Sequence, residues 1–235
     1  MTISYPEFRP SRDIAVKGMA SLSTLDRAQS PRRIGLYRNL FKRAFDVMAV
    51  SLALPVVAPV ILGLALLVRK DGGPAFYTQL RVGKDGRHFR MWKLRSMVAD
   101  ADARMNTYLD GNPDARREWD RTQKLRRDPR VTAFGNFLRR SSLDELPQLW
   151  NVLTGDMSLV GPRPMMLNQQ ALYPGEAYYA LRPGITGHWQ TSGRNATAFE
   201  ARAEYDTAYD VDLSLAADLR ILGRTVGVVL RGTGC

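Results

Sequence analysis

Residues 47–68 of this chain read VMAVSLALPVVAPVILGLALLV and contain no charged side chain. A helix of that length reaches across a bilayer's hydrocarbon core of about 30 Å. In lipid every backbone polar group must be satisfied within the segment, which leaves helix as its local structure. Three dispositions compete: a crossing helix, a buried core helix, or a re-entrant hairpin that enters and leaves by one face. The flanks discriminate. Arg38, Lys42 and Arg43 precede the run, and Arg69, Lys70, Arg81, Lys84, Arg87 and Arg90 follow it. Basic residues mark the cytoplasmic side. A single crossing leaves one basic cluster outside, whereas a hairpin keeps both inside. Pro55 and Pro59 each remove a helical amide and favour a kink, and Gly63 adds freedom. A re-entrant, kinked membrane helix fits these features best. The backbone groups freed at the kink need partners, and the Ser51 hydroxyl is one candidate.

The remaining composition narrows the class. Hydrophobic residues make up 45% of 235, enough for one good-sized core and too many for a disordered chain. The formal net charge of +11 suits an anionic partner: nucleic acid, anionic lipid or a phosphorylated substrate. The aromatic-basic interleaving of RNA-binding modules is missing, and together with the apolar run this excludes nucleic acid as the expected partner. Cys235 is the only cysteine and His88 and His188 the only histidines, so a disulfide, a cysteine cluster and a His-rich metal site are excluded. A metal here needs oxygen ligands, which suits Mg²⁺.

Residues 1–34 read as a disordered basic arm without the apolar core of a signal peptide, open to contact with a lipid surface. Residues 35–235 form one domain, with the membrane helix at 35–70 and a cytoplasmic part at 71–235. Residues 83–86 look like the turn of a hairpin between short strands. Residues 98–127 read as polar helix broken at Gly-Asn-Pro and ended by Asp128-Pro129. A further helix is predicted from about Asp144 to Leu153, because Leu146, Leu149, Trp150 and Leu153 share one face. Two turn-rich loops follow, GDMSLVGPRP and LRPGITGHWQ, and then helices at about 198–210 and 214–230. The expected class is α+β and mainly helical: a re-entrant membrane hairpin, amphipathic interfacial helices, and a small β-hairpin or sheet around the active site.

Asp144 and Glu145 lie in SSLDELPQLWNVL. One reading is a helix start, since Ser142 with Glu145 three residues on matches a capping box, and Pro147 suits the first turn. The other is a phosphate site, because helix N-termini bind phosphate and one carboxylate can attack phosphorus while its neighbour holds Mg²⁺. Basic residues crowd the same region: Arg126, Arg127, Arg130, Arg139, Arg140, Arg163, Arg182 and Arg194. Any one of them can be a solvated surface charge. Arg163 and Arg182, however, sit in tight Pro/Gly loops that hold a side chain in place, and an Arg fork matches phosphate oxygens. Lys93 and Arg95 alternate with apolar neighbours in MWKLRSM, as on a half-exposed strand with a basic face open to phosphate.

Ordered along the chain, FKRAFD, the proline-bearing apolar run, GGP, QLRVGKDG, KLRSM, DPRVTAFGNFLRRSSLDELPQLWNVLTGDMSLVGPRP, RPGITG and QTSGRN resemble the bacterial sugar transferases, the monotopic phosphoglycosyl transferases. The resemblance extends from about Phe41 to Leu230. It implies transfer of a sugar phosphate from a UDP-sugar to undecaprenyl phosphate, with release of UMP. It makes Asp144 the nucleophile of a covalent sugar-phosphate intermediate and Glu145 the Mg²⁺ ligand. Lys93, Arg139, Arg163 and Arg182 become the phosphate- and nucleotide-contacting residues. The family's Ser-Pro kink falls on Ala58-Pro59: Pro59 is present, the serine is not, and Pro55 is an additional break. The EWDRTQKLRRDPRV and WQTSGRN stretches resemble the hexose-1-phosphate transferases that prime exopolysaccharide synthesis, with galactose or glucose as the sugar. The implied location is the cytoplasmic face of a bacterial inner membrane, among membrane lipids, and the sequence leaves room for a homodimer. A catalytically silent scaffold of the same fold is the competing reading, against which the intact acidic pair argues.

Overall fold

A computed structural model describes residues 35–98, 100–122, 125, 128–192 and 199–230. The expected basic arm, Arg126, Arg127 and Arg194 lie outside the described residues, as does the second half of QTSGRN. The described part is mainly helical.

A π-helical turn, Tyr37–Phe41, leads into α1, Lys42–Val68. This helix contains the whole apolar run and continues through both Pro55 and Pro59. Most of its middle is exposed: Leu52 is 74% and Val56 72% accessible. Each end also buries a few side chains. Near the start, Val50 is buried in a cluster with Phe89, Met91, Val152 and Met157. Near the finish, Ala65 and Val68 are buried with Ala75, Leu94 and Leu138. Both ends of α1 therefore pack on the same body, and its middle offers bare apolar surface of the kind lipid covers. Ser51 does not serve the prolines: it is exposed and has no side-chain hydrogen bond among the described residues.

The FKRAFD charges tie α1 down. Lys42 Nζ donates to Asp218, 2.7 Å away, and Tyr37 and Tyr209 also donate to that fully buried carboxylate, each at 2.6 Å. Arg43 donates to the carbonyls of Val152 and Leu153, and the buried Asp46 accepts from the Leu159 amide at 3.1 Å. At the far end Arg95 donates to the Val68 carbonyl at 3.2 Å and pairs with Asp71. Arg95 thus caps the C-terminus of α1, where unsatisfied carbonyls and the helix dipole favour a cation. Its expected exposure to phosphate is overturned: it is buried and committed to this cap. Gly73, in GGP, makes room for it, since a Cβ there would lie 2.7 Å from the guanidinium.

The expected hairpin is present. β1, Phe76–Val82, pairs antiparallel with β2, His88–Leu94, around a loop at 83–87. The polar stretch forms α2, Ala101–Gly111, and α3, Pro113–Thr122, divided at Asn112. Then come α4, Ala133–Ser141, and α5, Gln148–Thr154. The two turn-rich loops contain an unanticipated pair of short parallel strands, β3, Ser158–Val160, and β4, Gly184–Thr186. The short α6, Ala177–Ala180, and α7, His188–Ser192, flank β4. The chain closes with α8, Arg202–Asp212, and α9, Leu215–Leu230. α9 leaves Leu215, Leu219, Val226 and Val229 exposed, an apolar row of the kind that lies on an interface.

Candidate active site

The acidic pair does not start a helix. Ser142 closes α4 in the left-handed conformation (φ 57°), and its side chain caps nothing. The capping-box reading is therefore overturned. The positive φ reverses the chain sharply out of α4, and Leu143–Glu145 form one tight 3₁₀ turn before α5 begins at Gln148. Asp144 is buried, 7% accessible, and Glu145 is partly exposed beside it.

Three elements converge on this turn. From β2, Lys93 Nζ reaches Glu145 Oε1 at 2.8 Å and Asp144 Oδ2 at 3.5 Å. From α4, Arg139 donates its Nε to Ser96 Oγ at 2.8 Å and acts electrostatically on Asp144. From α5, the buried Asn151 binds the β2 backbone on both sides of Met91. Its Nδ2 donates to the Arg90 carbonyl at 2.8 Å, and its Oδ1 accepts from the Trp92 amide at 3.0 Å. Asn151 thereby fixes the register between the strand that carries Lys93 and the helix that follows the acidic pair.

Electrostatics at Asp144 are finely opposed. Burial raises its pKa and Glu145 raises it further, while Lys93 and Arg139 pull it down. Burial lowers the pKa of Arg139, whose charge Asp144 and Asp128 support. The net effect is a raised pKa, with Lys93 and Arg139 favouring the ionised form against burial.

A second cluster was not singled out in the sequence as a site. Arg81 on β1, Arg163 in the GPRP loop and Arg202 at the start of α8 act on one another. Burial and the neighbouring guanidinium charges bring Arg81 and Arg202 each down to about 10, so both stay cationic at neutral pH. Arg81 also senses Glu145. The Nε–H groups of Arg81 and Arg202 are buried without a partner. Among the described residues none of the three has a carboxylate at ion-pair distance. Arg202 lies 4.2 Å above the Trp189 ring and 4.6 Å above Phe199, and Arg163 is 6.0 Å from Trp189. Three arginines with buried spare donors and no carboxylate at ion-pair distance make a cradle for a multiply charged anion. Tyr178 positions the loop: its hydroxyl donates to the Val82 carbonyl and accepts from the Met165 amide at 3.1 Å.

Of the expected site residues, the structure brings Lys93, Arg139, Asp144 and Glu145 together and puts Arg163 in the arginine cluster. Arg182 is used differently, donating Nε to the Gly155 carbonyl at the end of α5, 2.9 Å away. Its loop and the Arg163 loop touch backbone to backbone: a Cβ on Gly161 would lie 2.2 Å from the Arg182 carbonyl. Arg130 pairs with Asp128 at 2.6 Å and stacks on Trp119, and Arg140 is exposed, as a surface charge is. In the sequence Arg81 stood only among the basic residues that follow the apolar run. Arg202 carried no signal.

Among the described residues no group of three His, Cys, Asp or Glu side chains could hold a metal. Mg²⁺, however, commonly takes one or two carboxylates and completes its shell with water and substrate phosphate. The all-oxygen pair Asp144 and Glu145 fits that donor set.

The family model described as bacterial sugar transferase matches residues 37–232. An undecaprenyl-phosphate galactose phosphotransferase of Salmonella typhimurium is 45% identical over 198 residues, covering 83% of this chain and 42% of the relative. A UDP-galactose-lipid carrier transferase of Erwinia amylovora has the same identity and coverage. The exopolysaccharide production protein ExoY of Rhizobium meliloti is 43% identical over 210 residues, covering 87% of this chain and 93% of its own length. The chain thus spans less than half of the first two relatives and nearly all of the third.

Proposed function

The chain belongs to the bacterial sugar transferase family, and from that premise we propose that it transfers a hexose 1-phosphate from a UDP-sugar to undecaprenyl phosphate. The observation that carries this reading is the buried Asp144, held 3.5 Å from Lys93 Nζ and one residue from Glu145. In the first half-reaction an Asp144 oxygen attacks the phosphorus that bears the sugar. The bond from that phosphorus to the bridging oxygen breaks, and UMP departs with the electron pair. In the second, an oxygen of the lipid phosphate attacks the same phosphorus and the Asp144 carboxylate leaves. One phosphoanhydride is exchanged for another, so catalysis rests on positioning and charge stabilisation.

Lys93 and Arg139 favour the ionised form of Asp144 that attacks, and they face the charge that develops on the phosphoryl oxygens. Arg81, Arg163 and Arg202 bind the donor's diphosphate, which explains why the fold leaves them without carboxylates. Glu145 is the residue that would hold Mg²⁺, with water and substrate phosphate completing its shell, and the ion would supply neutralisation of diphosphate charge. The sugar expected from the relatives is galactose, with glucose the near alternative; these differ in the configuration of one hydroxyl.

The membrane helix is read as re-entrant, with the body on the cytoplasmic face of the inner membrane. Packing of both ends of α1 on one body supports this, as do the basic residues at both ends. A soluble donor and a lipid acceptor could then use one site in turn, at headgroup level. The test is UMP release from UDP-galactose or UDP-glucose with undecaprenyl phosphate and Mg²⁺. No UMP from any UDP-hexose would sink the proposal.

A further inference from the structure

Of the two cations that act on Asp144, Arg139 keeps its terminal donors unspent. Its Nε donates to Ser96 Oγ at 2.8 Å, and among the described residues its guanidinium makes no other hydrogen bond and no ion pair. Lys93, by contrast, lies 2.8 Å from Glu145 and 3.5 Å from Asp144. Asp128 also acts on Arg139 but is already engaged. It accepts from Arg130 Nε at 2.8 Å, Nη2 at 2.6 Å and the backbone amide at 3.0 Å, so both its oxygens are taken. Among the described residues, Ser96 is therefore the side chain that holds the Arg139 guanidinium. It holds the fork at Nε and leaves Nη1 and Nη2 free.

Ser96 is itself firmly placed. It lies three residues after Lys93 and is buried, 8% accessible. Its carbonyl accepts from the Thr132 amide at 3.2 Å, and the next residue, Met97, bridges to Val131. Thr132 in turn caps α4, its side chain accepting from the Gly135 amide at 2.8 Å. Gly135 lies directly on Ser96: a Cβ there would stand 1.9 Å from the Ser96 carbonyl oxygen, so any side chain would push α4 away. Arg139 follows Gly135 by four residues and shares its helix face. The close approach that Gly135 permits thus brings Arg139 to the Ser96 hydroxyl.

We propose that Ser96 is a positioning residue for phosphoryl transfer: its hydroxyl tethers Arg139 so that Nη1 and Nη2 meet the phosphoryl group as it passes to and from Asp144. The inference rests on the transferase reading above. An untethered arginine samples many rotamers, and ordering it at each turnover costs side-chain entropy. A guanidinium fixed beforehand offers its planar fork to phosphoryl oxygens without reorganisation at the moment of reaction. Arg81, Arg163 and Arg202 bind the donor's diphosphate independently of this tether. Loss of the Ser96 hydroxyl should therefore slow the chemical step and leave donor binding nearly intact.

The experiment follows exchange of labelled UMP into the UDP-sugar, which needs no lipid acceptor, in wild type, Ser96→Ala, Arg139→Ala and the double variant. Ser96→Ala keeps the backbone contacts of that residue. It is expected to slow exchange about tenfold to a hundredfold, the scale of misplacing a reacting group by about an ångström, with donor KM within a few-fold of wild type. In the Arg139→Ala background the same change should cost almost nothing more, because the hydroxyl has no guanidinium left to hold. Guanidinium ion added to Arg139→Ala should restore part of the rate, and less once Ser96→Ala is combined with it. Ser96→Cys keeps the packing with a weaker acceptor and should lie between wild type and Ser96→Ala. A Ser96→Ala rate equal to wild type, losses that multiply in the double variant, or equal rescue with and without the hydroxyl overturns the tether alone. Absence of exchange in wild type overturns the transferase reading and the tether with it.

Discussion

Lys93 on β2 and Asp144 in the 3₁₀ turn approach to 3.5 Å across 51 residues of sequence, and the same ammonium lies 2.8 Å from Glu145. One cation thus serves two adjacent carboxylates. Burial drives the Asp144 pKa up and Lys93 is the largest influence holding it down. Replacing Lys93 with Met removes that influence, so less Asp144 is ionised at a given pH. The acid limb of the kcat profile should move to higher pH, and Lys93→Arg should move it less. A profile with an unmoved acid limb would show that Lys93 does not tune the nucleophile.

Asp144→Asn should lower turnover by more than about a thousandfold, the scale seen when a nucleophile is removed. Intact-mass measurement after incubation with UDP-sugar alone should show a hexose-phosphate adduct on wild type and none on the variant. Persistent adduct on Asp144→Asn would place the nucleophile elsewhere.

The arginine cluster predicts a donor-specific defect. Arg81→Gln and Arg202→Gln each remove charge-assisted hydrogen bonds worth about 1.5–3 kcal/mol, so donor KM should rise roughly tenfold to a hundredfold. The KM for the lipid acceptor should stay within a few-fold. Arg81→Lys should recover only part of the loss, because an ammonium lacks the planar fork. Equal effects on donor and acceptor KM would argue for a general folding role.

Asp206 gives the fold a pH dependence apart from catalysis. Burial is the main cause, and it pushes this carboxyl up to about 7 despite the Tyr173 hydroxyl at 2.9 Å and the charge of Arg202. Between the ordinary carboxylate range and about 7 the folded state holds a proton that the unfolded chain has lost. The stabilisation is complete below about pH 4 and is lost as pH rises through about 7, amounting at most to roughly 4 kcal/mol. Thermal melts in detergent from pH 5 to 8 should show Tm falling with pH. Asp206→Asn should flatten that slope, and an undiminished slope in the variant would assign it to another group.

The re-entrant disposition makes a topological prediction. Tags at the N-terminus and near residue 100 should both be modified by cytoplasmic reagents and protected from periplasmic ones. Periplasmic labelling of the N-terminal tag would convert α1 into an ordinary span.

Much of this was legible along the chain, for a definable reason. The apolar run, the β1–β2 hairpin and the face formed by Leu146, Leu149, Trp150 and Leu153 depend on periods of a few residues, and each is present. Asp144 and Glu145 read locally as a helix start, and the surrounding basic loops and the family resemblance made them a candidate site. Ser142 misled because the capping-box pattern is local, while the left-handed backbone that defeats it follows from how α4 must turn to meet β2. Arg95 misled because strand alternation says which face a side chain takes and nothing of what waits there. Its partners, Asp71 and the Val68 carbonyl, lie 24 and 27 residues away.

By itself, then, the sequence determined that one segment is apolar enough for a membrane, that two carboxylates sit side by side, and which residues face a common side of each helix or strand. These are consequences of side-chain chemistry and backbone period. Only the tertiary structure decided that Lys93 reaches the pair and that Lys42 and Arg43 dock α1 on the rest of the fold. It also decided that Arg81, Arg163 and Arg202 share one cluster with no carboxylate at ion-pair distance. Partners between 52 and 176 residues apart, as for Lys93 with Glu145 and Lys42 with Asp218, are joined only when strands and helices pack. Buried charge then makes each such meeting consequential, because a guanidinium or carboxylate stripped of water must find a partner or await a ligand.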